Sequence, residues 1–299
     1  MGTPLYSPDH SRKPLSDVFA QDAVALTPKV KLTLGLKLED DPYTGLAPLP
    51  SVRLSWKPSE RLLLWGAVSR AVRAPTDFDV NLHDVIIPGI LVLQGNKAFQ
   101  TEKLTAFELG ARAQLGQTAS ISVSTFFNDY DDLRSTEWLN MDVGHLPLLW
   151  AWGNMMHGKV YGVEAWAEFH PTAWWTLNAG VNLQHEDLSF TAAAPAALNN
   201  LGEAGDDPNV QASLRSSVRL GPHLAWSADL RYVGALPHPE APAYAEADTR
   251  IAWDVTDRAQ ISIAGANLLN PHHLEYLEDG ATVGTMVQRS FSVGTRIRF

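Results

Sequence analysis

The chain has 299 residues, 45% of them hydrophobic and only 19% charged, with ten Trp, 21 Gly and 19 Pro; this balance excludes a disordered chain and speaks against a helix-rich soluble enzyme. Its 33 acidic and 23 basic side chains leave a formal charge of -10, which disfavours nucleic acid as a partner. The lack of cysteine excludes disulfides, thiolate metal sites and a cysteine nucleophile.

At the N-terminus no basic segment precedes an apolar run, so no signal peptide is read; the protein is either cytosolic or begins downstream of its true start. The longest apolar stretches, Val85 to Leu93 and Leu146 to Trp152, are short and interrupted by Pro or Gly, so no helix spans a bilayer. Period-two alternation dominates instead. Val30, Leu32, Leu34, Leu36 and Leu38 alternate with Lys31, Thr33, Gly35, Lys37 and Glu39. The same rule returns from Trp175 to Gln184, Val210 to Leu220, Leu224 to Tyr232, Ala245 to Asp254 and Phe291 to Phe299. Tight turns are expected at 27–29, 57–60, 116–118, 170–173, 221–223 and 256–258, all at one end. Longer connections near 41–48, 73–100, 131–148, 186–207, 234–242 and 270–285 lie at the other end.

The pattern predicts an all-β chain of about thirteen antiparallel strands, each longer than the usual five or six residues of a soluble sheet. A tilted strand that crosses a bilayer needs roughly 9 to 11 residues. Hydrocarbon tolerates no unpaired backbone groups, so the reading is a transmembrane antiparallel up-and-down β-barrel, oily side chains towards lipid and polar ones towards the lumen. Trp56, Trp175, Trp226, Trp253 and Phe299, near the short-turn ends, are placed in an aromatic girdle. A soluble sandwich or propeller is the alternative; the strand lengths and the lack of a blade repeat favour the membrane.

The closing strand, Phe291 to Phe299, resembles the C-terminal strand that the barrel assembly machinery of bacteria reads on outer-membrane proteins. Further segments are similar to those of the TonB-dependent outer-membrane receptors. Ser69-Arg70-Ala71-Val72-Arg73-Ala74-Pro75-Thr76 resembles the family's SR-x-FRAP-[ST] segment, with Val72 where Phe is usual. Gly95 to Lys103, including Asn96 and Glu102, followed by Phe107-Glu108-Leu109-Gly110, resembles the GNPxLxPE segment and its ELG strand, without the prolines. Tyr161-Gly162-Val163-Glu164 resembles the YGxE strand, and Ala266-Asn267-Leu268-Leu269-Asn270 the NLF-D loop before the last strand.

The resemblance implies a Gram-negative outer-membrane receptor for an iron-siderophore or similar scarce nutrient. Because such barrels have about 22 strands and a plug domain, residues 1–299 are expected to be the C-terminal portion of one, lacking the plug and the first strands. An odd-stranded sheet of this kind leaves edges that cannot close antiparallel. Implied partners are outer-membrane lipid, an iron complex, the TonB protein through the missing plug, and the barrel assembly machinery through the last strand. A passive porin-like channel and a haem receptor are the alternatives. No G-x-S-x-G, H-E-x-x-H or P-loop is present, so neither enzyme chemistry nor a cofactor is expected.

Inward carboxylates such as Glu108, Glu164, Glu168, Asp229, Glu246 and Asp248 interleave with arginines and are read as solvated charge ladders, with plug contacts as the functional reading. Candidate ligand contacts are His83, which falls where haem-receptor relatives place a histidine, and Trp138 and His145, which with Trp150 and Trp152 suit an aromatic siderophore or an outer girdle. His272 and His273 complete the set; as a lone pair they lack a third metal ligand.

Overall fold

The computed structural model describes residues 5–8, 12–140, 142, 144–191, 207–237, 240–277 and 284–298. Thirteen long strands form one antiparallel sheet in which chain neighbours are sheet neighbours. They are β1 (Ser16–Thr27), β2 (Val30–Asp41), β3 (Gly45–Ser59), β4 (Leu62–Arg73), β5 (Glu102–Leu115), β6 (Ala119–Asn140) and β7 (Leu148–Thr172). After these come β8 (Trp175–Phe190), β9 (Val210–Arg219), β10 (Leu224–Val233), β11 (Tyr244–Thr256), β12 (Ala259–Ala266) and β13 (Ser290–Ile297). No helix among the described residues is long and apolar enough to cross a membrane.

All six tight turns form, those expected at 57–60 and 170–173 closing slightly later, at 60–61 and 173–174. At three of them a hydroxyl bonds the turn backbone: Ser59 Oγ accepts from the Arg61 N–H at 3.3 Å. Thr27 Oγ1 accepts from the N–H groups of Lys29 and Val30 at 3.2 and 3.0 Å. Thr256 Oγ1 does the same for Arg258 and Ala259 at 3.2 and 3.0 Å. Opposite them, the expected connection over 41–48 is a turn of three residues. Asp41 Oδ1 accepts from the N–H groups of Tyr43 and Thr44 at 2.8 and 3.0 Å, and Gly45 takes φ +76°, so β3 starts at once. Pro48 and Pro50 are tolerated in it because pairing with β4 begins only at Ser51↔Ser69.

The 131–148 region also departs from expectation. β6 and β7 run on well past the length a bilayer requires, 22 and 25 residues long, with register shifts between Gly153 and Gly158. Their outer ends bear a small cap built from the 73–100 connection. That segment is not irregular: it holds a short helix, Asp77–Asn81, and a hairpin of Leu82–Ile87 with Leu91–Gln94. The hairpin pairs in parallel with Leu148–Ala151, and Leu5–Tyr6 adds to its other side. β8 likewise extends to Phe190 inside the expected 186–207 loop, and the last connection carries His272–Leu274 paired with Met286–Gln288.

The register fixes two faces. On one, Phe107, Phe127, Tyr161 and His185 form a row with ring centroids 6.2, 6.3 and 5.2 Å apart. Trp56, Trp175, Trp226 and Trp253 lie on this same face close to the tight turns, in the girdle position; Phe299 falls outside the described residues. Two of the indoles hydrogen-bond cross-strand hydroxyls, Trp175 to Ser216 at 3.0 Å and Trp226 to Thr249 at 2.9 Å, as suits rings with an apolar body and one donor. The other face is polar, and two of its large rings lie over glycines. Trp65 covers Gly110, where an added Cβ would come 2.3 Å from the indole, and Phe126 covers Gly162. β1 and β13 each pair on one side only, and every residue of both is exposed.

A Gly162→Val substitution puts a side chain 2.3 Å from the Leu183 carbonyl and 2.8 Å from the Phe126 ring. It is expected to destabilise the folded barrel by about 1–3 kcal/mol, as overpacking does, whereas Val163→Ala on the lipid face is nearly silent. Urea titration of heat-modifiable mobility in detergent checks both.

Candidate functional site

The motif residues converge where β4 enters the cap. Arg73 and Glu102 are register partners at the ends of β4 and β5, and they form a two-point ion pair, Nε to Oε2 and Nη2 to Oε1, both at 2.6 Å. Arg73 Nη1 also donates to Asp79 Oδ2 at 3.1 Å. Asp79 is fully buried and accepts from the backbone N–H and the hydroxyl of Thr76, each at 2.8 Å. Arg134 donates its backbone N–H to Glu102 at 2.8 Å and brings its guanidinium within 3.6 Å of Asp79 Oδ1. Burial opposes the Asp79 charge, but the N–H of Thr76 and the guanidinium of Arg73 outweigh it and hold the carboxyl below its ordinary range.

The remaining motif positions lock the same corner or the wall beneath it. Pro75 is buried. Asn96 donates to the Trp152 carbonyl at 2.9 Å and accepts from the Ala98 N–H at 2.9 Å. Arg70 is exposed beside Thr105. Glu108 and Glu164 stand on the polar face, paired in the register with Phe126 and Ser124 of the strand between them. Asn267 takes φ 55° and holds Arg231 at 2.8 Å while its own N–H reaches Asp248 at 2.8 Å.

Above the clamp lies an aromatic and cationic surface. Phe78 and Trp152 have centroids 5.3 Å apart, with the Arg134 guanidinium 4.8 Å from the Trp152 ring and 5.8 Å from that of Phe78. Trp138 and Trp150 meet edge to face at 4.7 Å. The indole N–H groups of Trp150 and Trp152 are buried and donate to no acceptor among the described residues. His83 is exposed on the hairpin, in a register row that runs through Gln94 and Ala151 to Glu137. His83, Trp138, Trp150 and Trp152 therefore share one cap.

Other candidates do not join them. His145 is exposed on the β6–β7 connection and bonds Asp142 at 2.6 Å. His272 and His273 point to opposite sides of their short strand: His272 is exposed, while His273 is buried 3.1 Å from Glu246 and 2.8 Å from Glu275, stacked on Tyr244 at 4.5 Å. The expectation that Glu246 is a solvated rung is corrected: it is buried, accepting from Asn270 at 2.8 Å and Leu269 at 3.1 Å. Among the described residues no group of three acidic or imidazole ligands could hold a metal. Sequence reasoning missed Phe78, Asp79 and Arg134; only Thr76-x-x-Asp79, a helix-start spacing, signalled any of them.

Arg73→Ala leaves two carboxylates without their main cation and is expected to loosen the cap by about 2–3 kcal/mol, less than for a fully buried pair. Because the Asp79 pKa is depressed, its contribution is complete above the ordinary value of about 3.9 and fades as pH falls through the lower folded value. Pepsin should therefore spare residues 77–97 near about pH 4 and cut them near about pH 2, with Arg73→Ala cut at both; equal cutting of the wild type at both pH values contradicts this.

Residues 2–268 match the family model described as TonB dependent receptor-like, beta-barrel. The iron-regulated outer membrane virulence protein of Vibrio cholerae serotype O1 is 26% identical over 283 residues, covering 88% of this chain and 42% of that protein. The ferric enterobactin receptor of Pseudomonas aeruginosa superposes with a TM-score of 0.75 at 18% identity, covering 95% of this chain and 45% of that one. The siderophore receptor of Acinetobacter baumannii does so with a TM-score of 0.75 at 15% identity, covering 95% and 46%. The chain thus spans less than half the length of the proteins it matches. It belongs to the TonB-dependent receptor β-barrel family of the Gram-negative outer membrane.

Proposed function

We propose that residues 1–299 form the C-terminal portion of a larger receptor barrel, and that the complete receptor takes up a ferric siderophore, driven by the TonB protein through a plug domain. The observation that carries this reading is the cap surface: Phe78 and Trp152 around the Arg134 guanidinium, with the Trp138–Trp150 pair on the same cap. An aromatic, anionic iron complex offers ring faces to the aromatic side chains and negative charge to the guanidinium of such a surface. Ferric enterobactin and siderophore receptors among the structural neighbours, and an iron-regulated relative, support the cargo class. The molecule works as a receptor rather than a catalyst, and β13, with Phe291, Val293, Thr295 and Ile297 on its oily face, is the strand offered to the assembly machinery.

Haem is the second reading, favoured by the exposed His83 on the same cap. The test expresses the complete reading frame under iron limitation and measures uptake of siderophores and haem with and without TonB. Siderophore uptake should vanish without TonB, and Trp152→Ala should weaken cargo affinity about tenfold, or ~1.4 kcal/mol. Uptake indifferent to TonB rejects the receptor mechanism in favour of a passive pore; haem uptake abolished by His83→Ala selects the second cargo.

A further inference from the structure

The oily face of the sheet is not smooth. In one register row Leu54 of β3 and Leu109 of β5 flank Gly66 of β4, which has no side chain to stand between them. An added Cβ at Gly66 would come 2.9 Å from Leu109 Cδ2, so the leucine already occupies part of the space above that strand. The result is an open groove of about 640 Å³ with Gly66 in its floor, Leu54 and Trp56 along one side and Phe107 and Leu109 along the other. The Thr125 hydroxyl, which also borders it, donates to the Leu109 carbonyl at 3.4 Å and leaves the groove apolar. It lies in the interior of the wall, on β3 to β6, away from both open edges.

Trp56, in the girdle position at the tight-turn end, sets the depth of the groove. From Trp56 to Val52 it runs about 13 Å at ~3.3 Å per residue, close to half of a hydrocarbon core roughly 30 Å thick. That is the depth of one leaflet. Just below Trp56, two neighbouring tight turns carry Lys29, Lys57 and Arg61, all exposed, against a single acid, Glu60. The Lys57 N–H donates to the Lys29 carbonyl at 2.8 Å and Lys29 Nζ to the Pro58 carbonyl at 2.9 Å, so the two turns are tied together and their cations lie side by side. The other four tight turns together bear one lysine or arginine, Arg258, and it adjoins Asp257.

We propose that the groove binds one acyl chain of an anionic phospholipid from the periplasmic leaflet, which the short turns of such barrels face, with the headgroup phosphate held by Lys29, Lys57 and Arg61. A chain lying in the groove gains dispersion contacts on three sides, where a flat stretch of wall offers one. The lysine and arginine stems reach along the barrel to the headgroup level, and their charge selects a negative lipid. The inference rests on the placement of the wall in the membrane and is independent of the cargo.

Native mass spectrometry of the complete receptor, mixed in mild detergent with equal amounts of phosphatidylglycerol and phosphatidylethanolamine, tests this. One phosphatidylglycerol should stay bound per barrel, in about tenfold preference to phosphatidylethanolamine. Gly66→Leu fills the groove and should cut retention of either lipid about tenfold. Combined Lys29→Gln, Lys57→Gln and Arg61→Gln should level the two headgroups, whereas Arg258→Gln should change nothing. If Gly66→Leu blocks assembly, the triple variant, altered only at exposed turn positions, still decides. Equal retention of both lipids by the wild type overturns the proposal, as does an unchanged preference in the triple variant or wild-type retention in an assembled Gly66→Leu barrel. A receptor dimer that excludes the lipid and is broken by Gly66→Leu also overturns it, because the groove then seats a second copy. Failed siderophore uptake with the lipid preference intact would reject the cargo and leave this site standing.

Discussion

A bilayer has no water with which to satisfy a peptide group, and that one shortage governs the rest of this chain. Each N–H and C=O within the hydrocarbon must bond to a neighbouring strand, so thirteen strands lie side by side, each paired with its neighbours in the chain. Once the backbone is committed to a sheet, side chains have only two directions to take. Most oily residues and the girdle indoles go one way, charges the other. Trp65 on Gly110 and Phe126 on Gly162 follow from the same constraint: a large ring on the inner wall keeps the lumen clear only where the facing strand has no Cβ.

Above the membrane the constraint lapses, and ion pairs take over. The Arg73, Asp79, Glu102 and Arg134 cluster does for the cap what the lipid does for the wall, excluding alternative arrangements, since a buried Asp79 without its cation is costly. The motif residues that mark the family are mostly structural in this light. Arg73, Pro75, Asn96 and Glu102 hold the cap, and the side chains able to touch a cargo, Phe78 and Trp152, stand on what those four secure.

What was legible in the sequence was whatever the membrane enforces by periodicity: strand existence, direction, face and the six tight turns. The 41–48 connection misled because its brevity depends on the Asp41 carboxylate capping its own turn, a local bond that prolines at 48 and 50 disguise. The 131–148 extension read as loop because a strand standing in water needs no oily stripe, and its support comes from contacts such as Trp138 with Trp150 that alternation does not encode. For the same reason His272 and His273 looked alike in sequence, yet pleating sends one to solvent and buries the other beside Glu246. Ion-pair partners in the cap were invisible because Arg73 reaches Asp79 and Glu102 through a fold-back that has no period.

The turns also bear on how the sheet is built. Each tight turn closes over a few residues and supplies its own hydrogen bonds, so every hairpin in the wall joins segments adjacent in the chain. Such local contacts nucleate quickly, with little loop entropy to overcome, and the wall can zip up hairpin by hairpin as it enters the membrane. The parallel pairing of Leu91–Gln94 with Leu148–Ala151 is the exception, for it must wait until β6 and β7 have both been laid down. The cap is therefore the last part to close, and a barrel arrested halfway through insertion would present a finished wall under an unlatched roof.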